Sequence, residues 1–227
     1  MPVVAFANPK GGTGKSTTAL VLGTTLAQKG YNVSVIDADP RQVVAHWKYD
    51  GRSRNPVHVV RDITERTILK TVEDRAKIDD VVLIDLEGTA SLLMSRAISR
   101  SDLVLIPMQA AALDARGATE VLELIQQEEH SFRRKIDARV VFTRTTTAIV
   151  TKIEKKIRSE LDKNKKPYLR TKLAQRQAYN AMFAGLRDLY ELDPGIVAGL
   201  AKARENAEEL ADELLTILES KQNEAAS

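Results

Sequence analysis

Short, mainly apolar runs recur along the chain: Val3–Ala7, Asn32–Asp37, Val57–Val60, Val81–Asp85, Leu103–Met108 and Ala138–Thr143. They lack the in-out alternation of a half-solvated sheet. Such runs predict strands covered on both faces, with Val57–Val60 at an edge. Between them lie stretches with helical spacing: Ala19–Ala27, 42–49, 64–76, 91–100 and Asp114–His130. Ser91 suits the N-cap of the fourth of these. A helix over Thr147–Lys163 follows from Ile149, Ile153, Ile157 and Leu161, which recur every four residues. Ala178–Asp188 predicts another. A last helix spans 193–221, with Asp193 as N-cap and Pro194 in its first turn. Strands alternating with helices predict an α/β fold: a doubly wound, mostly parallel sheet flanked by helices, one domain over residues 1–227.

The first strand runs into Asn8-Pro9-Lys10-Gly11-Gly12-Thr13-Gly14-Lys15-Ser16-Thr17-Thr18, and a helix follows. A glycine-rich turn in that position is a phosphate cradle. Its backbone N–H groups can face inward, and the helix N-terminus adds partial positive charge. Lys15 would reach β- and γ-phosphates, and the Ser16 hydroxyl would ligate Mg²⁺. Two further strands end in acid. Asp37 opens Asp37-Ala38-Asp39-Pro40-Arg41-Gln42, and Asp85 ends Val81–Asp85, the Walker B arrangement for a Mg²⁺ ligand.

The strict P-loop pattern would place a glycine at position 9, where Pro9 stands. Lys10-Gly11-Gly12-Thr13-Gly14-Lys15-Ser16 instead resembles the deviant Walker A loop of ParA/MinD-type ATPases. That resemblance covers about residues 3–116. It implies ATP and Mg²⁺ at Lys10, Gly11, Gly12, Thr13, Gly14, Lys15, Ser16 and Thr17, with Lys10 reaching the partner's phosphates across a nucleotide-bridged homodimer. It makes Asp39 the residue that positions the attacking water and places Asp37 near Mg²⁺. The Gly88 N–H would approach the γ-phosphate, Gln109–Arg116 would be a dimer-facing loop, and Thr143 and Arg144 would flank the base. Two departures stand out. Leu86-Glu87-Gly88-Thr89-Ala90 replaces a proline-rich turn, and the usual purine-recognising Asn is missing near Thr143.

Composition narrows the picture. The 227 residues include no cysteine, which excludes disulfides, thiolate metal sites and iron–sulfur clusters. His46, His58 and His130 have no partner at ligand spacing. No apolar run is long enough to span a membrane, and no signal-like segment precedes the first strand, so a cytoplasmic protein is expected. The tail from Glu219 is polar and nearly charge-balanced, unlike the membrane-lying helix of the MinD branch.

The net charge of +3 conceals segregation. Residues 133–176 carry 15 Lys and Arg against 4 Asp and Glu, while the rest carries 19 basic and 27 acidic residues. A polyanion-binding face is expected there, formed by Lys152, Lys155, Lys156, Arg158, Lys163, Lys165, Lys166, Arg170 and Lys172. No sequence-reading DNA motif accompanies them, so the expected DNA contact is non-specific. The resemblance adds nucleoid association, a ParB-like stimulating partner, and slow hydrolysis that drives partition or positioning of plasmid, chromosome or other cargo. The chain's start directly at the first strand is similar to short chromosomal-type ParA proteins. Arg176–Leu192 resembles ATPases that assist conjugative or T-DNA transfer by recruiting the relaxation complex. A spatial regulator of a protein cluster or of cell division is a further alternative.

Overall fold

The computed structural model describes residues 1–89, 91–145 and 150–226. Seven strands form one sheet: β1 (Val3–Phe6), β2 (Val33–Ala38), β3 (His58–Val60), β4 (Val81–Leu86), β5 (Leu103–Gln109), β6 (Asp137–Thr145) and β7 (Leu173–Ala174). Their order across the sheet is β3-β2-β4-β1-β5-β6-β7, and every pairing is parallel. The α/β doubly wound expectation holds, with β3 at one edge. β7, which borders β6 at the other edge, has only two residues, too few to form a pattern in the sequence.

The helices are α1 (Lys15–Gln28), α2 (Val43–Tyr49), α3 (Ile68–Ala76), α4 (Leu92–Ser99), α5 (Ala112–Phe132), α6 (Lys152–Lys163), α7 (Gln177–Gly185) and α8 (Leu200–Ala226). Successive strand side chains point to opposite faces, so each apolar strand feeds two cores. Val33, Val35 and Leu83 join Leu20, Leu26, Trp47, Met182 and Leu210 on the side of α1, α2, α7 and α8. Ile36, Val82, Ile84 and Ile106 join Val72, Met94, Ile125 and Ile157 on the side of α3 to α6. This double burial is why the strands read as mainly apolar runs.

Three expected boundaries move. The last helix begins at Leu200 rather than at 193. Asp193 does cap locally, its Oδ1 accepting from Gly195 N–H at 2.7 Å, but only turns follow it. Gly199, at φ +71°, breaks the backbone just before Leu200. The expected loop over Gln109–Arg116 shrinks to Ala110 and Ala111, because β5 keeps Gln109 and α5 starts at Ala112. The helix expected from Thr147 starts at Lys152, capped by Thr151, whose Oγ1 accepts from Glu154 N–H. Ala90 and residues 146–149, which include Thr147 and Ile149, lie outside the described residues. Ser91 caps α4 as expected, accepting from Met94 N–H at 3.2 Å. Among the described residues, no helix is long and apolar enough to cross a membrane.

Candidate nucleotide site and basic helix

The loop between β1 and α1 wraps around the ammonium of Lys15. That residue is 5% exposed, and its Nζ donates to the carbonyls of Asn8 at 3.0 Å and Lys10 at 3.2 Å. Burial pushes the Lys15 pKa down, opposed by the charges of Asp85 and Asp39. Asn8, buried and not singled out from sequence, fixes the loop's entry. Its Nδ2 donates to the Pro107 carbonyl at 2.9 Å, and its Oδ1 accepts from Lys10 N–H.

Gly14, at φ +99°, stands at the N-cap of α1 and offers that helix no side-chain cap. The helix's first N–H groups are left facing the loop, as anion binding requires. The Thr143 hydroxyl donates to the Thr13 carbonyl at 2.6 Å, and Gln109 Nε2 donates to the Gly12 carbonyl at 3.1 Å. β5 and β6 thus brace the loop from beneath. Gly88 closes on it from the side of β4: a Cβ there would stand 3.1 Å from the Gly11 nitrogen. Lys10, Gly11 and Gly12 are exposed, while Ser16 and Thr17 are half-buried at the mouth.

Asp37 and Asp85 are register partners on β2 and β4. They meet different surroundings. Asp37 accepts from Asp39 N–H at 3.3 Å and Ala45 N–H at 2.8 Å, so it ties the following loop and α2 to the sheet. Burial raises its pKa against those hydrogen bonds. Asp85 is fully buried, and neither carboxylate oxygen has a hydrogen-bond partner. Burial pushes its pKa to about 8; the nearby Ser16 hydroxyl opposes the shift, short of hydrogen-bond geometry, and the Asp37 charge adds to it. A buried carboxylate with both oxygens orphaned fits a cation site.

No group of three or more His, Cys, Asp or Glu among the described residues could hold a metal unaided. A cation here therefore depends on Ser16, Asp85 and oxygens brought by a ligand, the donor set Mg²⁺ takes on phosphates. Asp39 is 3% exposed and pairs with Arg41. Burial works to raise its pKa, but the hydrogen bonds and charge of Arg41 hold it below the usual carboxylate value.

A cavity of about 250 Å³ opens over Gly12, Gly14, Lys15, Ser16, Asp39 and Arg41. A second, of about 190 Å³, adjoins Gly14 and Thr17 and is lined by Arg144, Gln175, Arg176, Tyr179 and Asn180. Both expected base-flanking residues, Thr143 and Arg144, line this cavity, although the Thr143 hydroxyl already donates to the Thr13 carbonyl. Arg176, Tyr179 and Asn180 belong to the segment that resembles transfer-assisting ATPases, but nothing in the sequence marked them as cavity-lining. A larger depression of about 520 Å³ lies near α5's C-terminal end, around His130 and Arg133. It adjoins the strands' N-terminal ends, away from the phosphate loop.

The basic residues do not form one uniform face. Lys152, Lys155, Lys156, Lys163, Lys165 and Arg170 are exposed, and Lys166 is half-buried. Arg158 and Lys172 turn inward to Glu154, which is 1% exposed, at 2.9 and 2.5 Å. The Arg158 guanidinium also lies 4.5 Å from the Phe142 ring centre and 4.8 Å from that of Tyr168. Thr151 and Glu154 have capping-box spacing, but the carboxylate serves these two cations.

The VirC1 protein family matches residues 1–219. Protein ParA of Rhizobium radiobacter is 42% identical over 211 residues, which span 93% of this chain and 95% of the relative. The chain belongs to the VirC1 family. As a member it is also ParA-like in fold. An McdA variant of Cyanothece in complex with ATP superimposes with a TM-score of 0.76 at 16% identity, covering 94% of this chain and 96% of that one. A putative plasmid partition protein of Borrelia burgdorferi bound to AMPPNP gives 0.68 at 19% identity, covering 95% and 98%. At such identities these two establish the fold alone. The Lys10-Gly11-Gly12-Thr13-Gly14-Lys15-Ser16 loop of this chain stands between β1 and α1, the strand-to-helix position of a P-loop.

Proposed function

We propose that this protein is a ParA-type ATPase that binds ATP with Mg²⁺, closes into a homodimer, and holds DNA non-specifically while it partitions or positions a plasmid, chromosome or other cargo. The observation that carries the reading is Asp85, its two orphaned oxygens buried beside Lys15 at the uncapped start of α1. A triphosphate in the loop would meet the N–H groups of Gly11–Thr17 and the ammonium of Lys15. Ser16 and, through water, Asp85 would hold the metal, and Asp37 would fix the segment that carries Asp39. The metal, when held there by Ser16 and Asp85, would neutralise charge on the phosphates. Asp39 accepts a hydrogen bond from the attacking water and orients it. The water oxygen bonds to the γ-phosphorus, the bond to the bridging oxygen breaks and leaves that oxygen on ADP, and both water protons leave with the released phosphate.

Lys10, exposed at the loop's outer edge, would reach the phosphates of a second copy. Two basic helices on one dimer would then grip DNA with an avidity one lacks. A ParB-like partner would stimulate turnover, and the protein would act in the cytoplasm on the nucleoid. Family membership favours a second reading: an accessory ATPase of plasmid or T-DNA transfer that brings the relaxation complex to DNA. Sequence-specific protection of a transfer origin would select that reading over partition.

Light scattering with Mg-ATP tests the core of the proposal. The wild type should double in mass, Lys10→Ala should bind ATP yet stay single, and Lys15→Ala should not bind. A Lys10→Ala dimer of wild-type affinity would refute the cross-subunit role.

A further inference from the structure

Both carboxylate oxygens of Asp39 are engaged before any ligand arrives. Arg41, two residues on, binds it three ways. The Arg41 N–H donates to Oδ1 at 2.9 Å, Nε donates to Oδ1 at 3.2 Å, and the terminal nitrogen donates to Oδ2 at 3.0 Å. The partners differ in setting: the Asp39 side chain is 3% exposed and that of Arg41 68%. The carboxylate is fixed, while the guanidinium stands at the mouth of the cavity it shares with Gly14, Lys15 and Ser16. A carboxylate forked on both oxygens is poorly placed to orient a water. The ligand-free arrangement is therefore not the one hydrolysis needs.

We propose that Arg41 is a positioning residue that exchanges partners: it holds Asp39 in the nucleotide-free chain and moves to the terminal phosphate of a bound nucleoside triphosphate, releasing Asp39 to the water. This inference rests on the ATPase reading above. A planar guanidinium fits carboxylate and phosphate equally well, and the phosphate carries more charge. An exposed side chain moves without uncovering the core. The diphosphate lacks the terminal group, so Arg41 stays on Asp39 when ADP is bound. The exchange makes release of Asp39 depend on the γ-phosphate.

Equilibrium binding of Mg-AMPPNP and Mg-ADP, with no turnover, tests this in wild type, Arg41→Ala, Asp39→Asn and the double variant. Arg41→Ala should weaken AMPPNP about tenfold and ADP by less than about twofold. Asp39→Asn should tighten AMPPNP several-fold in the wild-type background, because Arg41 no longer has to leave a partner, and clearly less in Arg41→Ala. Equal weakening of both nucleotides by Arg41→Ala would overturn the exchange. So would the same Asp39→Asn factor in both backgrounds, since a static charge predicts additivity. Should Arg41→Ala not fold, Arg41→Gln repeats the comparison without the charge. A wild type that binds neither nucleotide would sink the ATPase reading itself; binding without coupling sinks only the role of Arg41.

Discussion

Thr143 ties the phosphate loop to the sheet: its hydroxyl donates to the Thr13 carbonyl at 2.6 Å, across 130 residues of sequence. Thr143 also limits what can stand at Gly14, where a Cβ would lie 3.3 Å from the threonine side chain on a backbone already at φ +99°. Thr143→Val removes the hydrogen bond and leaves a buried carbonyl unpaired, for about 1–2 kcal/mol of stability. Nucleotide affinity should fall with it, and Thr143→Ser should restore both. Calorimetric melting and AMPPNP titration of the two variants check this.

Asp85 should behave as a destabilising group until a cation arrives. Asp85→Asn keeps the shape and removes a buried, unpartnered carboxylate, so the metal-free protein should gain about 1–2 kcal/mol. The same variant should lose the further stabilisation that Mg²⁺ with nucleotide gives the wild type. Melting curves with and without Mg-ADP separate the two effects. A less stable apo Asp85→Asn would show that the carboxylate has a partner within the fold.

Glu154 divides the basic stretch into an inward-paired set, Arg158 and Lys172, and an exposed set. Glu154→Ala strands Arg158 and Lys172 and should cost about 2 kcal/mol, the cations being partly solvated. Arg158→Ala should likewise lower the melting temperature. Lys152→Ala, Lys155→Ala and Lys156→Ala should leave melting unchanged and weaken DNA binding. Each should also lower the salt slope by about one for every phosphate it no longer neutralises. Melting and DNA titrations at two salt concentrations distinguish the groups.

Trp47 is the chain's one tryptophan, fully buried on α2, with Nε1 donating to the Arg187 carbonyl at 3.1 Å. Because Asp37 holds the same helix through Ala45 N–H, movement of the Asp39 segment should reach it. Emission should be blue-shifted in the free protein and change with Mg-AMPPNP, but not with ADP. A stopped-flow trace showing no difference between the nucleotides would place the conformational change elsewhere.

Much of this was legible in the sequence for a physical reason. Strands buried on both faces are apolar throughout, and a polar residue where such a run stops marks the end of the strand that faces ligand. Asp37 and Asp85 stand out in that way, and Lys15 by the glycine-rich turn before it. What escaped depends on pairings distant in sequence or too short to form a pattern. Two residues of β7 leave no period. The Asp193-Pro194 start was a sound local signal that the glycines after it overrode. Glu154 is one of four acids in the basic stretch, and only the fold sets Lys172 beside it. The hold of Arg41 on Asp39 spans only two residues of sequence, yet it needed the positions of both side chains.

The proposed function depends on a DNA grip assembled by nucleotide. Fluorescence anisotropy of a labelled duplex of arbitrary sequence, titrated with the wild-type protein in Mg-ATP, Mg-ADP and no nucleotide, tests it most directly. Tight binding in ATP alone, weakening steeply as salt rises, is the predicted result. Equal binding in all three conditions would contradict it.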